Sequence, residues 1–259
     1  MSTSRQDHFE YCERLVREGD RDLWLACLFA PSPARKYIYA IYAFMLETIN
    51  IREKVSQPLL GEMRLRWWGD IITAGKTDDS AAPPVAAALI DTAAEFDLPR
   101  DEMTALLEAR VFDLYDDPMP TVAALEDYCR AIAAAPVRWA GAILGTTSTA
   151  YDDAGVALGL TKILRSRNPA FIPLEFSTVA SVKVARGQLA AIAMEKYENA
   201  RREADRLTAG REALLPAATA PLYLEILART GYDPDIALPE PSPLRRQWRL
   251  WRAARGAGL

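Results

Sequence analysis

Proline and glycine cut this chain into helix-length blocks, and inside the blocks apolar residues recur at three- and four-residue spacings. That period matches the turn of an α-helix; a strand would alternate every two residues. Strand-like alternation is nearly absent, and no repeat of solenoid period is visible. The expected fold class is all-α, a single-domain bundle of about nine or ten helices.

The spacing predicts helices over 4–18, ended by Gly19, and over 21–29, stopped by Pro31. Ser32 and Pro33 read as an N-cap and first-turn pair opening a long helix to about Val55. Ile38, Ile41, Tyr42, Met45 and Ile49 are its expected buried stripe. Helices are also expected over 60–74, 85–96, 100–115, 153–165, 184–208 and 211–229, with a polar loop over 76–84. Thr121 caps one that runs to about Leu144 and kinks at Pro136. A proline-rich link, 234–243, leads to a last basic helix. The chain thus divides into a helical domain, 1–233, and a C-terminal segment, 234–259.

A length of 259 residues, half of them hydrophobic, allows a sizeable core and excludes wholesale disorder. The lone histidine, His8, excludes any metal site needing two histidines and argues against a histidine-based triad. Cys12, Cys27 and Cys129 form no CxxC pair, so free thiols in a reducing compartment are expected. The net charge is -4, but residues 242–259 hold five arginines and no acid. Subtracting that +5 leaves -9 on the first 241 residues, which does not suit a nucleic-acid binder. No apolar run long enough for a signal peptide or a membrane span is visible, so the cytoplasm is the expected compartment. The alanine and arginine content points to a bacterial source.

Two segments, YAFMLETINIREKVSQPLLGEMRLRWWGDII (42–72) and GVALGLTKILRS (155–166), resemble the squalene/phytoene synthase family. LLEARVFDLYDD (106–117) extends the likeness over most of the chain. The resemblance implies an isoprenoid-synthase bundle around a central cavity. In catalytic members, two DxxxD clusters face each other and hold Mg²⁺ ions that help diphosphate leave, while two prenyl chains join head to head. Carboxylates four residues apart share one helix face, which is the geometry such clusters need.

Laid on those motifs, the first cluster falls on Ile49, Asn50 and Glu53, of which only Glu53 keeps a carboxylate. The second falls on Gly159, Lys162, Ser166 and Ala170 and keeps none. Lys162 places a positive charge where a cation would sit. The pattern is closer to a non-catalytic branch of the superfamily, the mitochondrial respiratory complex I assembly factor and its alphaproteobacterial relatives. Ala43, Phe44, Glu47, Ile51, Arg52, Glu53, Val55 and Ser56, then Gly61, Met63, Arg64, Trp67 and Trp68, carry that match.

This second resemblance implies a protein with no metal or other cofactor, partnered by a complex I subunit or assembly intermediate. The alternative is an Mg²⁺-dependent prenyltransferase using Glu53 and Asp113 as catalytic carboxylates. Tyr42, Glu47 and Arg165 are then the substrate-binding candidates. A third reading is a cavity that keeps a prenyl chain without reacting it.

Elementary geometry adds local expectations. Glu47 and Glu53 stand about 240° apart around a helix, so one should face solvent and the other pair with an arginine. Trp67 and Trp68 should fill gaps between helices. Asp116 and Asp117 suit a solvated turn beside Pro118. Arg165 fits a phosphate contact or a cap on its own helix end. On the last helix Leu244, Trp248 and Trp251 fall at i, i+4 and i+7 among arginines. That helix either docks on the acidic body or meets an anionic surface, through peripheral contact with the inner face of a membrane or through an acidic partner.

Overall fold

The computed structural model describes residues 5–76, 82–176 and 181–256; part of the expected loop over 76–84 lies outside them. All regular structure among the described residues is helical. The order is α1 (Arg5–Gly19), α2 (Arg21–Cys27), α3 (Ser32–Ile49), α4 (Ile51–Lys54), α5 (Pro58–Ala74), α6 (Pro84–Glu95) and α7 (Arg100–Arg110). Then follow α8 (Val122–Cys129), α9 (Ala135–Ile143), α10 (Ala150–Ser166), α11 (Val182–Ala204), α12 (Ala220–Arg229) and α13 (Pro243–Ala254). No helix of the described residues is long and apolar enough to cross a membrane.

Helix α3 starts one residue earlier than its cap signal implies. Pro31 occupies the N-cap position, Ser32 is already helical, and Pro33 sits in the first turn. From Ile38 to Leu46 every residue is buried, so α3 is a central helix that is apolar all round. The long helix expected to Val55 is interrupted. Asn50 stands between α3 and α4, and Ile49, assigned to the buried stripe, is 40% exposed. Gly75 closes α5 in the left-handed conformation, φ +63°, which a glycine adopts at little cost.

Three further departures trace to proline and to local tightening. The helix expected over 100–115 narrows into a 3₁₀ turn at Val111–Leu114. At Pro136, where a kink is expected, the helix changes form. Lacking an N–H, the proline lies in the first turn of α9, and Arg130–Ala134 just before it forms a π-helical turn, with the Ala135 N–H reaching Arg130 O. The helix expected over 211–229 is likewise split: Arg211–Thr219, which contains Pro216, is 3₁₀, and only α12 is α-helical.

Helix α10 separates two apolar clusters. Ala150, Tyr151, Ala154, Ala157 and Leu158 join the cluster built on α1–α3, α5–α7 and α9. Val156, Leu160, Ile163 and Leu164 join the one built on α8, the π turn, α11 and α12. Small residues let the layers approach closely. A Cβ built on Gly155 would meet the Ala134 backbone at 2.1 Å. The three cysteines are free and buried, and burial pushes the Cys12 thiol up to about 12.

Candidate functional site

The Asn50 break reshapes the first cluster position. Ile49 ends α3 and Glu53 belongs to the separate four-residue α4, so the two do not share an unbroken helix face. Glu53 is exposed. Glu47 pairs with Lys54 at 3.5 Å, so its partner is a lysine from α4 and not the expected arginine. Both line a groove of about 270 Å³ with Tyr11, Ile51, Arg64, Trp67 and Trp68. Trp68 is buried edge-on against Phe44, centroids 5.1 Å apart, but Trp67 is 41% exposed and fills no inter-helix gap.

Tyr42 is fully buried in the core, its hydroxyl without a hydrogen-bond partner, and burial first, then the neighbouring Cys27 and Asp20, raise its pKa. Asp113 lies in the 3₁₀ turn, not on the preceding α-helix. Its carboxylate pairs with the buried Arg110 at 2.9 Å and accepts a hydrogen bond from the Tyr128 hydroxyl. Burial would lower the Arg110 pKa, but Tyr128 and Asp113 outweigh it and hold the guanidinium above its ordinary value. Asp113 thus neutralises a core arginine. Asp116 and Asp117 are exposed in the turn, as expected.

At the second cluster position the helix is intact and its chemistry is inverted. Lys162, on α10, forms an ion pair with Asp20 at 2.7 Å. Asp20 also caps α2, accepting from the Leu23 N–H at 3.0 Å, an interaction of about 1 kcal/mol in helices generally. Burial would raise the Asp20 pKa, but the Lys162 ammonium and the Leu23 hydrogen bond outweigh it and hold the carboxyl below the ordinary carboxylate value.

The pair continues into a network. Arg165, one turn further along α10, reaches Glu240 at 2.7 Å and lies 3.7 Å over the Tyr223 ring. The Tyr223 hydroxyl donates to Asp22 at 2.8 Å, and Asp22 pairs with Arg246 of α13 at 3.0 Å. The helix-end cap proposed for Arg165 is supplied instead by Arg186 of α11, whose guanidinium donates to Leu164 O at 2.5 Å. The space between these groups is about 20 Å³, enough for roughly one water.

This donor set does not fit Mg²⁺. Each carboxylate on this wall already faces a cation of the chain, and a divalent ion would have to displace an ammonium at 2.7 Å from its partner. Among the described residues no three His, Cys, Asp or Glu side chains group as a metal cage. Of the residues named from sequence, the structure brings Glu47 to Lys54 and Arg165 into the α10 network; Tyr42 is buried near Asp20 without hydrogen-bonding into the network, and Glu53 and Asp113 lie apart from it. Asp20, Asp22, Tyr223 and Arg246 were missed. Their partners are 142, 201 and 224 positions away, beyond any periodicity. The available signal was Lys162 itself, a cation amid an apolar helix that needs a counter-ion.

Comparison with known proteins bears on the same residues. The squalene/phytoene synthase family profile matches residues 16–168. Human "NADH dehydrogenase (ubiquinone) complex I, assembly factor 6" is 26% identical over 186 residues, covering 68% of this chain and 55% of that protein. Its Bos taurus counterpart is 26% identical over 182 residues, covering 66% and 55%. The chain therefore spans a little over half the length of these relatives. Among solved structures, squalene synthase HpnC from Alicyclobacillus acidocaldarius superposes with a TM-score of 0.73 at 21% identity, covering 89% of this chain and 96% of that one. A dehydrosqualene synthase in complex with ligand gives 0.79 at 20% identity, covering 97% and 96%. At that identity the likeness is one of fold.

Proposed function

The chain belongs to the squalene/phytoene synthase family, and from that premise we propose that it works as a non-catalytic assembly factor for respiratory complex I. The observation that carries the reading is the Lys162–Asp20 ion pair, standing where the family likeness locates a metal-binding carboxylate cluster. Removing diphosphate from a prenyl chain needs divalent cations to take up the developing negative charge. An internal ammonium neutralised by an internal carboxylate leaves no vacant valence for that task.

The similarity to complex I assembly factors supports the choice of partner class, a complex I subunit or assembly intermediate. We place this work in the cytoplasm, with peripheral contact to the inner face of a membrane through 242–259. Deleting the gene should lower NADH:quinone reductase activity in isolated membranes, and the wild-type gene should restore it. Unchanged reductase activity in the deletion strain would remove complex I from the proposal.

A further inference from the structure

Helix α13 presents two faces of different chemistry. At about 100° per residue, Leu244, Trp248, Trp251 and Arg255 fall within one sector roughly 60° wide. Arg246, Arg249, Leu250 and Ala253 fall on the opposite side. The structure follows that division. Leu250 and Ala253 are buried, Arg246 pairs with Asp22, and Arg249 donates to Ala218 O at 3.0 Å and to the Tyr197 hydroxyl. Through these contacts α13 packs on α2 and on the 3₁₀ segment 211–219.

The outward sector is unusual for a soluble surface. Leu244 is 78% exposed, Trp248 59% and Trp251 38%. The two indoles lie nearly parallel, 4.9 Å between centroids and 18° between planes. Arg255 lies over the Trp251 ring at 3.9 Å, and no salt bridge engages Arg252 or Arg255 among the described residues.

We infer that this face of α13 lies on an anionic lipid bilayer, with Leu244, Trp248 and Trp251 at the headgroup–acyl boundary and Arg252 and Arg255 on the phosphates. The inference rests on the peripheral-membrane part of the proposed function and names its ligand; it does not depend on complex I being the partner. Indoles favour the bilayer interface, where an apolar ring and a polar N–H are both satisfied. Arginines flanking them without carboxylate partners gain from a negative surface. The body, at -9, is repelled by the same surface, so contact is confined to this helix and fixes how the molecule stands on the membrane. A flat bilayer suits the face better than an acidic protein, because the apolar side chains project from a convex helix.

The test is flotation of the full-length purified protein with vesicles at physiological salt. One set is phosphatidylcholine alone; the other contains about one-third phosphatidylglycerol, to supply the negative surface. The protein should float only with the anionic set. W248S/W251S should abolish flotation, and R252Q/R255Q should lower partitioning about fivefold per arginine removed. All four side chains are exposed, so both variants should keep the wild-type circular dichroism and melting temperature. Wild-type protein that stays with the soluble fraction, or variants that float as it does, would overturn the inference, and an acidic protein ligand would then be the alternative. Because vesicles hold no complex I, failure here leaves the reductase phenotype of the deletion strain to judge the assembly role separately.

Discussion

Asp20 carries three duties at once: it caps α2, neutralises Lys162 and occupies space beside α10. Such a pair adds little net stability over an apolar equivalent, but removing one partner strands the other. Lys162→Met should therefore cost about 2 kcal/mol in urea unfolding, less than a fully buried pair because Lys162 is about a third exposed. Asp20→Asn in the same background should recover part of that loss. The sign of the pH dependence follows from the lowered Asp20 pKa. Its contribution is complete above about pH 4 and is lost as pH falls through the depressed folded-state value. In Lys162→Met the largest influence lowering the Asp20 pKa is gone while burial still raises it, so the Asp20 share of the acid destabilisation should shrink or reverse, and the variant should lose less stability than wild type as the pH falls. Unfolding curves at a series of pH values would show whether the two profiles separate. Asp113→Asn should cost about 3 kcal/mol, since it leaves Arg110 buried without its carboxylate. Chemical denaturation that finds Asp113→Asn as stable as wild type would refute the structural role given to Asp113.

At the level of elements, much was legible because proline, glycine and caps act locally. Gly75 ended α5, Pro33 and Thr121 marked helix starts, and the stripe expected on α3 is buried at Ile38, Ile41, Tyr42 and Met45, though not at Ile49. The breaks were harder to read. Asn50 interrupts α3 without a proline or glycine, and the π turn before Pro136 stores a register shift that no residue announces. The first separates Ile49 from Glu53, and the second packs closely on α10, where Ala134 meets Gly155. Gly155→Ala should therefore be costly, by about 3 kcal/mol, because the new methyl meets backbone that cannot move as a side-chain tip can. Thermal melting that finds the variant within a degree or two of wild type would show that the α10–π-turn contact is looser than described.

For the whole molecule, family membership and an all-helical bundle were legible from short segments spread along the chain, since each segment carries its own local pattern. The network that fills the second cluster position was not, because it joins α2, α10, α12 and α13 across distances in sequence that only the fold closes. Under the proposed non-catalytic reading, the same closure lets a synthase-like fold persist while the charges at the second cluster position satisfy one another. The most direct measurement of this account is product analysis after incubating the pure protein with farnesyl or geranylgeranyl diphosphate and Mg²⁺, beside an active synthase. The account expects both diphosphates to be recovered unchanged; a squalene-like or phytoene-like hydrocarbon formed only when Mg²⁺ is present would contradict it.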